Sequence, residues 1–443
     1  MACARLDCIG WHTSRRIAAL CDNQSCMSAH AATAVWLVSL TVIALILLRP
    51  RRIPEYVWAT LGACVLIAAR WVPLRQALGS VREGENVYLF LSGMMLLAEV
   101  ARLHGVFDWL AAQAMQHARG SRLRLFALVY GVGVLVTALL SNDTTAVVLT
   151  PAVLAVVRRG KIPPLPYLFA CAFVANAASF VLPISNPANL VVFDNHLPPL
   201  ALWLHRFLLP SALSIGATLL LLYVHSRAQL REAIATRDVP VVLSASGRRA
   251  AVGIVVAAAL LLFISAAGRP LGPPTCAVAL LVLLLSGAPS FRGTLTAVRD
   301  VSWGVLPLVA SLFVLVGALN HAGALPLAVF ALHRVAAWSR PLGALAAAFG
   351  VGLAANLLNN LPVGLIGAAA TQAAGASPLL HGAVLLGIDL GPNLSVTGSL
   401  ATILWLIALR REGIEVSAGR FLRAGLLVMP PVLLLAVLAL GWR

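Results

Sequence analysis

The chain has 443 residues, of which 60% are hydrophobic and only 11% charged, against about 25% charged in a soluble protein. Its formal net charge is +17, but the basic residues are scattered through short loops with no basic stripe interleaved with aromatics, so nucleic-acid binding is excluded. Repeated long apolar runs point instead to an all-α polytopic membrane protein, and the short alternating strands of a membrane barrel are absent.

In chain order, residues 1–32 form a polar extension with Cys3, Cys8, Cys21 and Cys26. Their C-x4-C-x12-C-x4-C spacing is wider than the usual paired-thiolate zinc pattern. No firm metal site follows. Two or three such thiols could capture a soft species such as trivalent arsenic or antimony; the plainer alternative is a tail without fixed structure, or an over-extended start of translation. No cleavable signal peptide is evident. The run at 33–48 reads as a first span, and further runs lie near 56–74, 86–103, 125–140, 144–157, 165–181 and 201–224. Residues 33–226 make a first transmembrane half, with a repeat core at 86–226. A basic linker at 227–249, placed in the cytoplasm, joins it to a second half at 250–443, whose repeat core is 302–441. The second half carries runs near 250–267, 274–288, 302–319, 342–358, 361–374, 378–390, 394–409 and 421–441. Several runs are too short to span alone, so we expect about ten transmembrane helices plus two re-entrant hairpins. The clusters Arg49, Arg51, Arg52 and Arg158, Arg159, Lys161 suit the positive-inside bias and contact with anionic lipid of the bilayer.

The two halves look like copies of one device. Leu139-Leu140-Ser141-Asn142-Asp143-Thr144-Thr145-Ala146 recurs as Leu357-Leu358-Asn359-Asn360-Leu361-Pro362-Val363-Gly364. Each polar knot is followed by a second: Pro183-Ile184-Ser185-Asn186-Pro187-Ala188-Asn189, and Gly391-Pro392-Asn393-Leu394-Ser395-Val396-Thr397-Gly398-Ser399. Asn176 aligns with Asp389, and Ala101-Arg102-Leu103-His104-Gly105 with Leu319-Asn320-His321-Ala322-Gly323. Amides, hydroxyls and helix breakers at membrane depth are costly unless they line a polar cavity. A duplicated pair of interrupted hydrophobic segments points to the binding site of a secondary transporter, commonly with repeats inverted about an axis in the membrane plane. The first knot of each half is expected as a hairpin tip. The second is expected as a broken helix unwound at Pro183, Pro187, Gly391 and Pro392. Candidate binding residues are therefore Ser141, Asn142, Asp143, Thr144, Thr145, Asn176, Ser185, Asn186, Asn189, Asn359, Asn360, Asp389, Asn393, Thr397, Gly398 and Ser399.

Acids are scarce, so each one inside an apolar run stands out. A carboxylate there favours its protonated form unless a cation pairs with it, which suits proton coupling by Asp143 and Asp389. Glu99 is a third candidate, against a simpler ion pair with Arg102.

At these residues the chain resembles the arsenite efflux permeases, the arsenical-pump membrane protein family of the ion-transporter superfamily. The likeness is carried by Asn142-Asp143, Ile184-Ser185-Asn186-Pro187-Ala188-Asn189, Asn359-Asn360-Leu361-Pro362, Asp389-Leu390-Gly391-Pro392 and Gly398-Ser399-Leu400-Ala401-Thr402, and covers roughly 33–441. It implies a plasma (bacterial inner) membrane antiporter, without cofactors, that exports arsenite or antimonite in exchange for protons. In some members a soluble arsenite-stimulated ATPase docks as partner. The cargo As(OH)3 is neutral, so hydroxyls and amides suit it. Two positions depart from the family pattern: Asn176 stands where some members have an acid, and Asn393 where lysine can occur. The rival readings are a sodium-coupled dicarboxylate, sulfate or phosphate carrier using Ser141-Asn142 and Ser185-Asn186, and a sodium/proton antiporter. An intramembrane aspartyl protease also needs two membrane aspartates, but the stretch before Asp389 lacks one glycine of that motif and the duplication would have no role.

Overall fold

The computed structural model describes residues 29–48, 50–193, 197–234, 242–286, 295 and 298–442. Cys3, Cys8, Cys21 and Cys26 lie outside the described residues. Among those described, no strand forms; a single bridge joins Ser121 to Ala233. The all-helical class expected from hydropathy is the one observed.

The first half contains α1 (Ala29–Leu48), α2 (Glu55–Ala68), α3 (Leu74–Glu83), α4 (Glu85–Leu103) and α5 (Val106–His117). It continues with α6 (Arg122–Leu139), α7 (Thr150–Arg159), α8 (Leu165–Ala177), α9 (Pro187–Val192) and the long α10 (Leu200–Leu230). The second half holds α11 (Ala245–Ala266), α12 (Gly272–Leu285), α13 (Val305–His321), α14 (Ala324–Ala336), α15 (Arg340–Leu358), α16 (Asn360–Ala373), α17 (Pro378–Leu390), α18 (Leu400–Arg411) and α19 (Ala418–Gly441). Six of these, α4, α6, α10, α11, α15 and α19, are each long and apolar enough to cross a membrane. Shorter apolar helices, α1, α2, α8 and α12, accompany them, and α13 with α14 forms one bent pair at 73°.

Three helices were not expected from hydropathy: α3, α5 and α14. α3 and α5 mix polar and apolar residues, and α14 is apolar but short, with His333 and Arg334 near its end. Two of them, α5 and α14, begin at equivalent places. Gly105 has φ 70° and Gly323 φ 101°, a left-handed conformation that glycine adopts without steric cost, and each turns the chain sharply after α4 and α13.

Packing divides the helices into two groups. α4 lies along α12, joined where the Gly272 N–H donates to Asn86 Oδ1 at 2.6 Å, and α13 packs on α2. In the other group α10 lies along α19, and α15 along α17. An aromatic cluster ties the halves together there. Phe173 stacks on Phe421 at 5.0 Å, and Trp405 Nε1 donates to the Leu168 carbonyl at 3.1 Å, locking α18 to α8. Polar irregularities gather where the two groups meet.

Candidate functional site

The first hairpin descends along α6 and turns at Leu140 and Ser141. Ser141 caps the return, its Oγ accepting from Thr144 N at 3.2 Å, a device that satisfies an orphan amide of the helix start. The return helix begins at Asn142 and passes through a π-helical stretch, Thr145–Leu149, before α7. Thr137 and Thr145 hydroxyls bond at 2.8 Å, and Thr150 Oγ1 donates to the Thr145 carbonyl at 3.1 Å. Ser141, Thr144 and Thr145 are thus engaged in building the tip.

The second hairpin turns at Asn359, whose backbone sits at φ 72°, ψ 152°, a region populated almost only by glycine. Its side chain accepts from Leu361 N at 3.3 Å, and Asn360 N donates to the Gly398 carbonyl at 3.0 Å.

The first broken helix unwinds from Ala178, five residues ahead of Pro183, and the second at Gly391. α8 stops at Ala177, Pro183–Ser185 make one tight turn, and Asn186 caps α9 by accepting from Ala188 N at 3.0 Å. Asn189 is used locally: its amide donates to the carbonyls of Ser179, Leu182 and Pro183 at 2.9, 3.4 and 3.3 Å. Ser185 Oγ donates to the Ala138 carbonyl at 3.1 Å, tying this break to the first hairpin. In the second half Gly391–Leu394 form the corresponding turn, and Ser399 caps α18 through Thr402 N at 3.1 Å.

The candidate residues fall into separate groups. Asn142, Asp143, Asn186 and Asn360 line one cleft, faced by the apolar side chains of Leu91, Val305 and Val309. Asp389 stands behind it. Asn186 Nδ2 donates to Asp389 Oδ1 at 2.7 Å, while Asp389 is 1% exposed and its Oδ2 has no hydrogen-bond partner among the described residues. Asn360 Oδ1 is likewise buried and unpartnered. No lysine or arginine lines the cleft. Its free volume is about 10 Å³, room for about one water molecule.

A second group, Asn176, Asn393 and Ser399, is buried outside the lining of this cleft and braces the two broken helices against each other. Asn176 Nδ2 donates to Asn393 Oδ1 at 3.0 Å, Ser399 Oγ to Asn176 Oδ1 at 3.4 Å, and Asn393 Nδ2 to the Phe173 carbonyl at 3.3 Å. Thr402 joins it 3.5 Å from Asn176 Nδ2. Thr397 and Gly398 lie against Asn356, a residue that hydropathy and breakers do not flag because it sits inside an apolar helical run. Glu99 is elsewhere, held by Arg102 at 2.5 and 2.8 Å, with Asp300 3.2 Å from the same guanidinium.

A larger cavity of about 1400 Å³, a vestibule, lies beside the cleft. Arg102, Arg410, Arg411 and Arg420 line it, together with Glu55, Glu412 and Glu415; Val305 and Leu400 border both spaces.

Comparison with known proteins agrees with this architecture. The CitMHS family model, described as citrate transporter, matches residues 40–387. An arsenical pump membrane protein of Yersinia enterocolitica is 29% identical over 358 residues, covering 76% of this chain and 82% of the relative. One from Escherichia coli K12 is 28% identical over 355 residues, covering 76% and 82%. An uncharacterized transporter of Synechocystis is 26% identical over 432 residues, covering 90% and 95%. Among solved structures, the YdaH transporter of Alcanivorax borkumensis superposes with a TM-score of 0.57 at 15% identity, over 87% of this chain and 97% of that one, a likeness of fold. A duplicated hairpin and broken helix, a polar cleft between them and the family match together identify the chain as a multi-pass membrane transporter, not an enzyme, and a member of the CitMHS family.

Proposed function

We propose that this transporter exports trivalent metalloid, arsenite or antimonite, from the cytoplasm in exchange for protons, through the cleft between the hairpin tips. The observation that carries the reading is the character of the cleft: amides and one open carboxylate, a second carboxylate one residue behind, and no basic side chain. A neutral trihydroxide can exchange hydrogen bonds with Asn142, Asn186 and Asn360 without a countercharge. Asp143 and Asp389 are the proton carriers, linked through Asn186. In the present conformation the cleft holds about one water, so loading requires a hairpin tip to shift.

The reading includes inversion of the two repeats. Arg158, at the end of α7, bonds Glu412, just past α18, at 2.8 Å, while His381, near the start of α17, bonds the Val192 carbonyl at the end of α9 at 3.0 Å. Those contacts favour hairpins entering from opposite faces. The face with Arg158, Arg159, Lys161, Arg410 and Arg411 then lies in the cytoplasm, and the vestibule opens there. Proton exchange suffices in this reading, and docking of a soluble ATPase is an addition it does not need.

The family name favours a second reading, sodium-coupled uptake of an anion such as citrate or another polycarboxylate, and the arginines of the vestibule would attract such an anion. Against it, an anion reaching the cleft meets Asp143 with no cation to offset the repulsion. The two readings part in cells stripped of their own arsenite exporters. Lower arsenite accumulation that a proton uncoupler abolishes is the expected result. Unchanged accumulation, with the protein displayed in the membrane, overturns metalloid export in favour of anion uptake.

A further inference from the structure

Breaking a helix inside a membrane leaves carbonyls without ladder partners, and lipid offers none. In the second broken helix this unwound stretch runs from Gly391 to Ser399, a tight turn, then extended Ser395, a second turn at 396–397 and extended Ser399. Much of its hydrogen bonding comes from one side chain on the neighbouring α15. Asn356 Nδ2 donates to the Gly391 carbonyl at 2.8 Å and to Gly352 of its own helix at 2.7 Å. Its Oδ1 accepts from Ser395 Oγ at 2.6 Å, and its backbone carbonyl accepts from Thr397 Oγ1 at 3.0 Å. The fit is tight. A Cβ on Gly391 would stand 2.4 Å from the Gly352 Cα, and one on Gly398 2.7 Å from Asn356 Oδ1.

The first half has no such clasp. The residue equivalent to Asn356 is Ala138, which offers only its carbonyl, to Ser185. The second half therefore binds hairpin to broken helix with a side chain that both gives and accepts, and it does so two residues from Asp389 and four from Asn360.

We propose that Asn356 is a positioning residue of the transport site. It holds Gly391–Ser399 against the second hairpin and so fixes where Asp389 and Asn360 stand relative to Asn186. Asn356 itself does not line the cleft; it acts through the backbone it holds. Losing its amide removes two hydrogen bonds to the unwound stretch, and a buried carbonyl left unpaired adds its own desolvation penalty.

The test uses purified full-length protein for hydrogen exchange, and everted vesicles for arsenite uptake; only the second half rests on the proposed cargo. In Asn356→Ala, amides of residues 393–399 should exchange at least about tenfold faster, with α15 and α16 unchanged. KM for arsenite should rise about fivefold or more, with a smaller change in maximal rate. Asn356→Asp keeps the acceptor for Ser395 but loses the donor to Gly391, and should fall between. If Asn356→Ala does not accumulate, Asn356→Asp and Thr397→Val carry the same measurement. Unchanged exchange at 393–399 overturns the inference, and so does a fall in protein amount with KM unaltered. Faster exchange in a protein whose wild type takes up no arsenite sinks the cargo reading and leaves the role of Asn356 standing.

Discussion

At the tip of the first hairpin Ser141 is extended, with φ 175°, and the irregularity lies downstream in the π-helical Thr145–Leu149. At the tip of the second, Asn359 has φ 72° and ψ 152°, and the return helix α16 is regular. The acids are also placed differently. The first half has Asp143 in its hairpin and Asn176 in its broken helix; the second has Leu361 in its hairpin and Asp389 in its broken helix. The two halves present similar frames, with the charge on opposite elements. The result is one carboxylate, Asp143, that lines the cleft with Asn186, and another, Asp389, buried and bonded to Asn186.

That division predicts unequal effects. If Asp389 carries the coupling proton as proposed, Asp389→Asn should reduce transport at least about 100-fold, a loss of roughly 2.7 kcal/mol, because it keeps the shape but removes the buried carboxylate that Asn186 holds. Adding Asn176→Asp should not restore it, although the repeats align the two positions, because Asn176 is spent on Asn393 away from the cleft. Recovery of efflux in the double variant would show that the halves are interchangeable and dissolve the comparison. Asp143→Asn should cost less, about tenfold, since the cleft keeps its amides and Asp389. Measuring uptake in everted vesicles at matched protein amounts ranks the two.

The knots were legible because short polar side chains and breakers inside apolar runs have few explanations other than a cavity, and their order along both halves gave the hairpins and broken helices. Which way each side chain points was not legible. Asn176, Asn393 and Ser399 read like binding residues, yet they brace α8 against the second broken helix. The sequence order places Asn393 beside Asp389, but the turn at Gly391–Leu394 rotates it toward Phe173 instead. Asn356 was hidden for the opposite reason: a single amide within a long apolar helix has no local signature, and its partners lie at 391, 395 and 397.

The tips themselves give a smaller effect. At Ser141 the usual capping rule applies, so Ser141→Ala should destabilise by about 1 kcal/mol and Ser141→Gly by a few tenths. At Asn359 the backbone disfavours any Cβ. Asn359→Ala should be less stable than Asn359→Gly by about 2 kcal/mol, a wider gap than at Ser141. Thermal unfolding of the four variants in one detergent measures both gaps; equal gaps would mean that the second tip carries no strain.

The smallest effect belongs to Glu99, the acid that the fold takes out of the cleft. Its carboxylate is 8% exposed at the side chain, but Arg102 beside it is 44% exposed and also meets Asp300. A pair with one partner in water contributes about 0–1 kcal/mol, and Glu99→Gln keeps a group able to accept from the same guanidinium. Transport should stay within about twofold of wild type, since an interaction of that size changes an equilibrium by little more. A loss comparable to that of Asp143→Asn would place a third carboxylate in the proton path, on α4 rather than on a hairpin or a broken helix. The coupling would then extend beyond the duplicated knots, and the division of charge between the two halves would no longer account for it.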